Sequence, residues 1–155
     1  MFTIITWTLL NFHGIQSFPI QGSYFHTYGK KSQDSPYQLL QIHYSDQSTI
    51  LFYLEVGRGA PSYNSGALYG RLIFNRKTGN YEYIPKDISS NCKLIFIKRE
   101  NKIIIKTVSG ECLFGYGVYA DGIYTLNDKN NPTYFTDRTG RKRYFNKTSP
   151  ETYGE

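Results

Sequence analysis

The chain has little of what builds helices: alanine and glutamate are scarce, and there is a single methionine in 155 residues. Intrinsic preference therefore gives little support to a helical fold. It has two cysteines and three histidines, with no Cys-x-x-Cys and no Cys/His cluster, so structural zinc and dithiol redox chemistry have no ligand set. Gly-x-Ser-x-Gly, His-Glu-x-x-His and a P-loop are all missing, which removes the common hydrolase, metalloprotease and nucleotide signatures. The 12 acidic side chains are scattered, without a pair placed for glycoside hydrolysis. No apolar run is long enough for a transmembrane helix. We expect no cofactor, no metal and no catalytic residue.

What is present is aromatic and β-branched. Fifteen tyrosines and ten phenylalanines suit half-buried pleated surfaces. The net charge of +6 and pI near 9.2 draw the chain towards anionic partners such as nucleic acid, membrane surfaces or polyanionic glycans. The basic residues are dispersed, apart from Arg138 to Arg143. We read that excess mainly as a solubility feature and do not expect nucleic acid as a partner.

The N-terminal run Phe2 to Leu10 is uncharged and apolar and turns polar at Asn11. It has the length of a secretory signal core, with Ile15-Gln16-Ser17 as a cleavage site. No basic segment precedes it, and a first β-strand is the alternative. We take residues 1–17 as signal peptide and 18–155 as one β domain, of a size that buries a core.

From Gly22 the chain reads as a meander. Leu40, Ile42 and Tyr44 share one face of Tyr37 to Tyr44. Ile50, Phe52, Leu54 and Val56 share one face of Thr49 to Val56, a clean period of two. Ala67 to Phe74 and Tyr81 to Ile84 flank the turn Lys77-Thr78-Gly79-Asn80. The densest β pattern runs from Asn91 to Tyr124. Cys92 to Lys98 and Lys102 to Val108 form a hairpin across Arg99-Glu100-Asn101. Folding there, with a bulge near Gly110, brings Cys92 to Cys112 and predicts a disulfide. Asp121-Gly122 predicts a two-residue hairpin turn, and Thr139-Gly140 a last hairpin with a basic tip. Eight to ten strands without a long crossover predict one antiparallel up-and-down β-barrel, or a sandwich, with one disulfide.

Few residues carry chemistry. His13 lies in the signal, and His26 and His43 lack acidic or thiol neighbours at ligand spacing. Gly115-Tyr-Gly117-Val-Tyr-Ala120 matches a dinucleotide fingerprint but lacks the following helix that such a site needs. We assign its glycines to a bulge or bend. The tip Arg138 to Arg143, between Tyr134-Phe135 and Tyr144-Phe145, interleaves cations and rings in a way that could stack on a polyanion. The strongest candidate is the loop Gly57 to Gly66, where Arg58, Tyr63 and Asn64 sit among residues that bend freely.

The order Cys92-Lys-Leu-Ile-Phe, Cys112-Leu-Phe-Gly115, Val118 and Asp121-Gly122-Ile-Tyr124 resembles small exported bacterial β-barrel proteins. These are of the lysozyme-inhibitor-like or uncharacterised type. Ser65-Gly66-Ala-Leu-Tyr69 resembles the Ser-Gly-x-x-Tyr motif of the membrane-bound and periplasmic C-type lysozyme inhibitors. That resemblance implies that Ser65 contacts an enzyme's active-site cleft. The chain departs from that family in three ways. Tyr83-Ile-Pro-Lys86 stands where a Trp-x-Lys-Gly segment belongs, the motif precedes both cysteines, and the chain is as basic as the lysozymes themselves. The expectation is an exported bacterial binding protein of the periplasm or cell surface. It would inhibit a cell-wall hydrolase through Arg58, Tyr63, Asn64, Ser65 and Tyr69; the alternative is a module binding a glycan or small ligand.

Overall fold

The computed structural model describes residues 20–27, 34–45, 49–85, 91–110, 112 and 114–153. The signal-peptide expectation for residues 1–17 lies outside them. Eight strands follow one another in chain order: β1 (Gly22–Thr27), β2 (Tyr37–Tyr44), β3 (Ile50–Gly57), β4 (Ser65–Asn75), β5 (Asn80–Tyr83), β6 (Lys93–Arg99), β7 (Lys102–Ser109) and β8 (Gly122–Asp128). Each pairs antiparallel with the next and β8 returns to β1, so the sheet closes into a barrel. The expected all-β, up-and-down barrel is the fold. Closure gives each strand a partner on both sides, which removes the two edge strands of an open sheet.

The period-two pattern determines what fills the barrel. Tyr24, Leu40, Ile42, Phe52, Leu54, Val56, Leu94, Phe96, Ile103, Ile105 and Tyr124 point inward and are almost fully buried. Phe52 meets Phe96 edge-on at 5.1 Å and Tyr83 at 5.2 Å. Each such side chain contributes roughly 1.5–3 kcal/mol of burial. Two interior phenols are satisfied locally: Tyr24 donates to the Ile20 carbonyl at 2.8 Å, and Tyr124 to that of Ala120 at 2.7 Å. Burial pushes the Tyr24 pKa up to about 12.

Beyond β8 the chain forms a hairpin, β9 (Tyr134–Thr136) and β10 (Lys142–Tyr144). It does not enter the barrel but lies across the outside of β3 and β4. There Phe135 and Phe145 close a second core over Leu51, Tyr53 and Tyr69. β3 is thus buried on both faces. This C-terminal strap is pinned by Asn131, whose Nδ2 donates to Tyr44 O at 2.8 Å, and by Arg71–Glu151.

The disulfide forms as expected, Cys92–Cys112, with Cα atoms 4.8 Å apart. The β6–β7 register slips between Lys93 and Leu94, which skips Val108 and makes the expected bulge. Gly110 adopts φ +69°, and a Cβ there would lie 2.3 Å from the Asn91 carbonyl. The Asp121-Gly122 hairpin does not form. The described residues from Cys112 to Asp121 are irregular and Gly122 simply opens β8. Asp121 is engaged elsewhere, accepting from the Thr107 N–H at 3.1 Å and hydroxyl at 2.5 Å.

Candidate functional site

The β1–β2, β3–β4, β5–β6 and β7–β8 connections gather at one barrel end. Two of them are built into each other. Gly66, the second residue of β4, lies where the Phe114 backbone crosses, so closely that a Cβ would lie 2.4 Å from Phe114 Cα. Asn64 Nδ2 donates to the Tyr116 carbonyl at 2.9 Å. Gly115 and Gly117 take φ values of +94° and +71°, which glycine adopts without strain. The glycines thus shape a loop and are not bends within a strand. A Cβ on Gly117 would lie 2.6 Å from Arg58 Nη1, so the missing side chain makes room for the guanidinium.

The result is a cleft of about 920 Å³ lined by Arg58, Thr107, Phe114, Tyr116, Gly117 and Tyr119, among others. A hollow of about 170 Å³ on the far side of Arg58 and Val118 reaches Pro36 and Gln38. Tyr116 is 88% exposed and Tyr119 71%, so both rings offer their faces. Gln38 reaches up from the barrel to donate to the Tyr119 carbonyl at 2.9 Å. Cys112 roots the cleft loop in the core.

The structure brings Arg58, Asn64 and Ser65 to this end and separates Tyr69 from them. The Arg58 N–H donates to Asn64 O at 2.9 Å. Tyr63 is exposed, and its hydroxyl donates to Asp34 Oδ1 at 2.6 Å, a bond that pushes its pKa up. Asp34 O also accepts from Ala60 N at 2.9 Å, so the loop is tied at both sides. Ser65 is half-buried, its Oγ accepting from Arg138 Nη2 at 3.1 Å. Tyr69 points to the outer wall, 4% exposed under the strap. Its hydroxyl donates to Thr148 O at 2.9 Å, and burial pushes its pKa up to about 12.

Other charged and aromatic groups are engaged in holding the fold. His43 stacks on Phe145 with centroids 4.9 Å apart, and its Nδ1 lies 2.8 Å from Pro132 O. In the basic tip, Lys142 Nζ sits 3.7 Å from the Tyr134 centroid, and Arg143 Nε donates to Asp137 Oδ2 at 2.8 Å. Glu55 accepts from Tyr37 at 2.7 Å and from Tyr53 at 3.1 Å. Among the described residues no group of three or more His, Cys, Asp or Glu could hold a metal.

Sequence reading missed Thr107, Tyr116 and Tyr119. The paired glycines of Gly115-Tyr-Gly117 were the available signal, because glycines around an aromatic mark a loop shaped to present it. Comparison with family models, with curated proteins and with solved structures gives no match.

Proposed function

We propose that this is a non-enzymatic binding protein whose end cleft takes a glycan carrying an anionic group. The observation that carries this is the Arg58 guanidinium lying over Gly117, in a cleft flanked by the exposed rings of Tyr116 and Tyr119. A guanidinium presents a planar fork suited to a carboxylate or phosphate. Tyrosine rings beside it pack on the apolar faces of sugars at little entropic cost. Among the described residues, aromatic and branched side chains fill the barrel interior. The ties from Asn64, Cys112 and Gln38 hold the cleft in shape before a ligand arrives, which lowers the cost of binding. A disulfide suits an oxidising compartment, in keeping with the periplasm or surface of a bacterium.

The test is calorimetric titration of the oxidised protein with acidic and neutral oligosaccharides. Saturable binding of a uronate oligosaccharide is expected, at least about tenfold weaker in Arg58→Gln, since a charge-assisted bond is worth about 1.5–3 kcal/mol, and weaker also in Tyr116→Ala, which removes a packing ring. Equal affinity in the variants, or no acidic glycan bound, would overturn the proposal.

The second reading, inhibition of a cell-wall hydrolase, is favoured by the shape of the β3–β4 loop. Its ends are tied while Pro61, Ser62 and Tyr63 stay exposed, as a loop that enters an enzyme cleft requires. In this version Tyr63 replaces Tyr69 as the contacting ring. Lysozyme turbidity assays with Tyr63→Ala and Ser65→Arg test it; no inhibition of several lysozymes by the parent protein removes it.

A further inference from the structure

The barrel has two unlike walls. Across β3 and β4 the outward Leu51, Tyr53 and Tyr69 are covered by the strap. Across β5 to β8 the strap does not cover the outward positions, where isoleucines stand among charged and polar side chains. Ile97, Ile104 and Ile123 stand in one row across three strands. Ile95 lies beside that row, opposite Lys106, and Ile84 and Val108 are exposed at the cleft end. Ile123 is 49% exposed, and Ile73, on the adjoining β4, 63%.

Cations frame the isoleucines. Arg99 and Lys102 face each other directly across the β6–β7 pair, and both are exposed, as is Lys106. Like charges in register repel, so this pairing gains from a counter-charge. The acidic groups nearby are engaged or marginal. Glu82 is bridged by Lys93 at 3.1 Å and accepts from Asn75 at 2.8 Å, Asp121 is held by Thr107, and Glu100 lies in the turn.

From this charge complementarity we infer that the β5–β8 wall docks on an anionic lipid surface, with the isoleucine row at the headgroup boundary. Branched aliphatics enter the acyl edge while long cationic stems reach the headgroup charge. A second copy of the chain is a poor occupant, because it would set Arg99, Lys102 and Lys106 against their own images. An acidic protein would satisfy the charge, but among the described residues the wall is a run of regular strands, and the cleft and hollow described above lie at the barrel end.

Full-length oxidised protein is sedimented with vesicles of equimolar phosphatidylglycerol and phosphatidylcholine, and with phosphatidylcholine alone. Partition onto the anionic vesicles is expected, falling with added salt and much weaker on the neutral ones. At about fivefold per cation, Lys102→Gln with Lys106→Gln weakens it roughly twenty-five-fold. Ile104→Asn with Ile123→Asn weakens it as well, and Arg141→Gln on the C-terminal hairpin does not. Near-ultraviolet dichroism checks that these surface variants keep their fold. Equal partition of the wall variants would assign binding to another part of the chain, such as residues 2–10, and overturn the inference. So would a lack of partition, retention on immobilised polyglutamate alone, or a dimer that the wall variants dissolve.

Discussion

Replacing Phe135 by alanine separates two views of the C-terminal hairpin, as an ornament on the barrel or as part of its core. Phe135 is 1% exposed. Its ring stacks on Tyr53 at 4.3 Å and 15° and meets Tyr69 at 4.9 Å, Phe145 at 5.1 Å and Tyr153 at 5.8 Å. Four aromatic neighbours cannot all collapse into the void, so the loss should reach the usual range for a buried ring, about 3–5 kcal/mol. In a domain of this size each kcal/mol moves the melting temperature by about 2–4 °C, giving a drop of about 6–20 °C. Because Tyr53 and Tyr69 belong to β3 and β4, the loss should appear in one cooperative transition of the whole barrel. Tyr134→Ala is the control: it is 42% exposed, and its cation–π contact with Lys142 is worth about 0.5–1 kcal/mol. Thermal melts followed by far-ultraviolet dichroism compare the two. If Phe135→Ala melts within a few degrees of Tyr134→Ala, the second core contributes little and the hairpin is an appended flap.

Reducing Cys92–Cys112, whose cysteines are 20 residues apart, should cost about 3 kcal/mol by the loop-closure relation. That lowers the melt by about 6–12 °C, and an unchanged melt would show that the bridge constrains nothing. Gly66→Ala should cost about 1–3 kcal/mol by overpacking, because the atom it meets is the Phe114 backbone, and it should loosen the cleft. Gly79→Ala, with open space and only its φ of +71° to strain it, should cost about 1–2 kcal/mol and leave the cleft untouched; equal ligand affinity in both variants would contradict this geometry. Hydrogen bonds from Thr139, then Arg143 and the backbone of Arg141 and Thr139, hold the Asp137 carboxyl well below the usual carboxylate range. Since the folded pKa is depressed, its stabilisation is complete above the unfolded value of about 3.9 and is lost as pH falls towards the folded one. Asp137→Asn should therefore melt below the parent at neutral pH, with the gap narrowing under about pH 4; a constant gap into acid would refute the assignment.

How far the sequence could be read depended on the range of the interaction. Alternation within Tyr37 to Tyr44 marks β2 to the residue, because each inward side chain is set by the pleat alone. The disulfide follows from the hairpin it closes. The period of two marks one apolar face on β3, yet Ile50-Leu-Phe-Tyr-Leu54 is apolar on both. Leu51 and Tyr53 therefore required a cover, but a pattern within one strand cannot say which distant segment supplies it. The same cover decided Tyr69. Its motif is local, and its burial depends on Phe135, Phe145 and Thr148. Asp121-Gly122 failed for a related reason: the turn preference is modest, and two bonds from Thr107 to the Asp121 carboxylate outweigh it. The sequence marks Arg58 by its loop, while its environment comes from Gly117, four connections later in the chain.

A filled barrel leaves function to its ends and its outer walls, and here the two candidate surfaces divide along β7. Thr107 lines the cleft at one end of that strand. Lys102 stands at the other end, beside the β6–β7 turn. Gln38 and Tyr124 tie the cleft loop to the barrel interior, so the cleft is shaped from inside the barrel. The wall is shaped by strand pairing and the Glu82–Lys93 ion pair, with its side chains half-buried or exposed. Arg58→Gln and Lys102→Gln thus act on parts of the protein with no shared partner, and their effects should be additive. Loss of glycan binding in the wall variants would mean that the surfaces are coupled through β7, and the strand would then be a conduit as well as a scaffold.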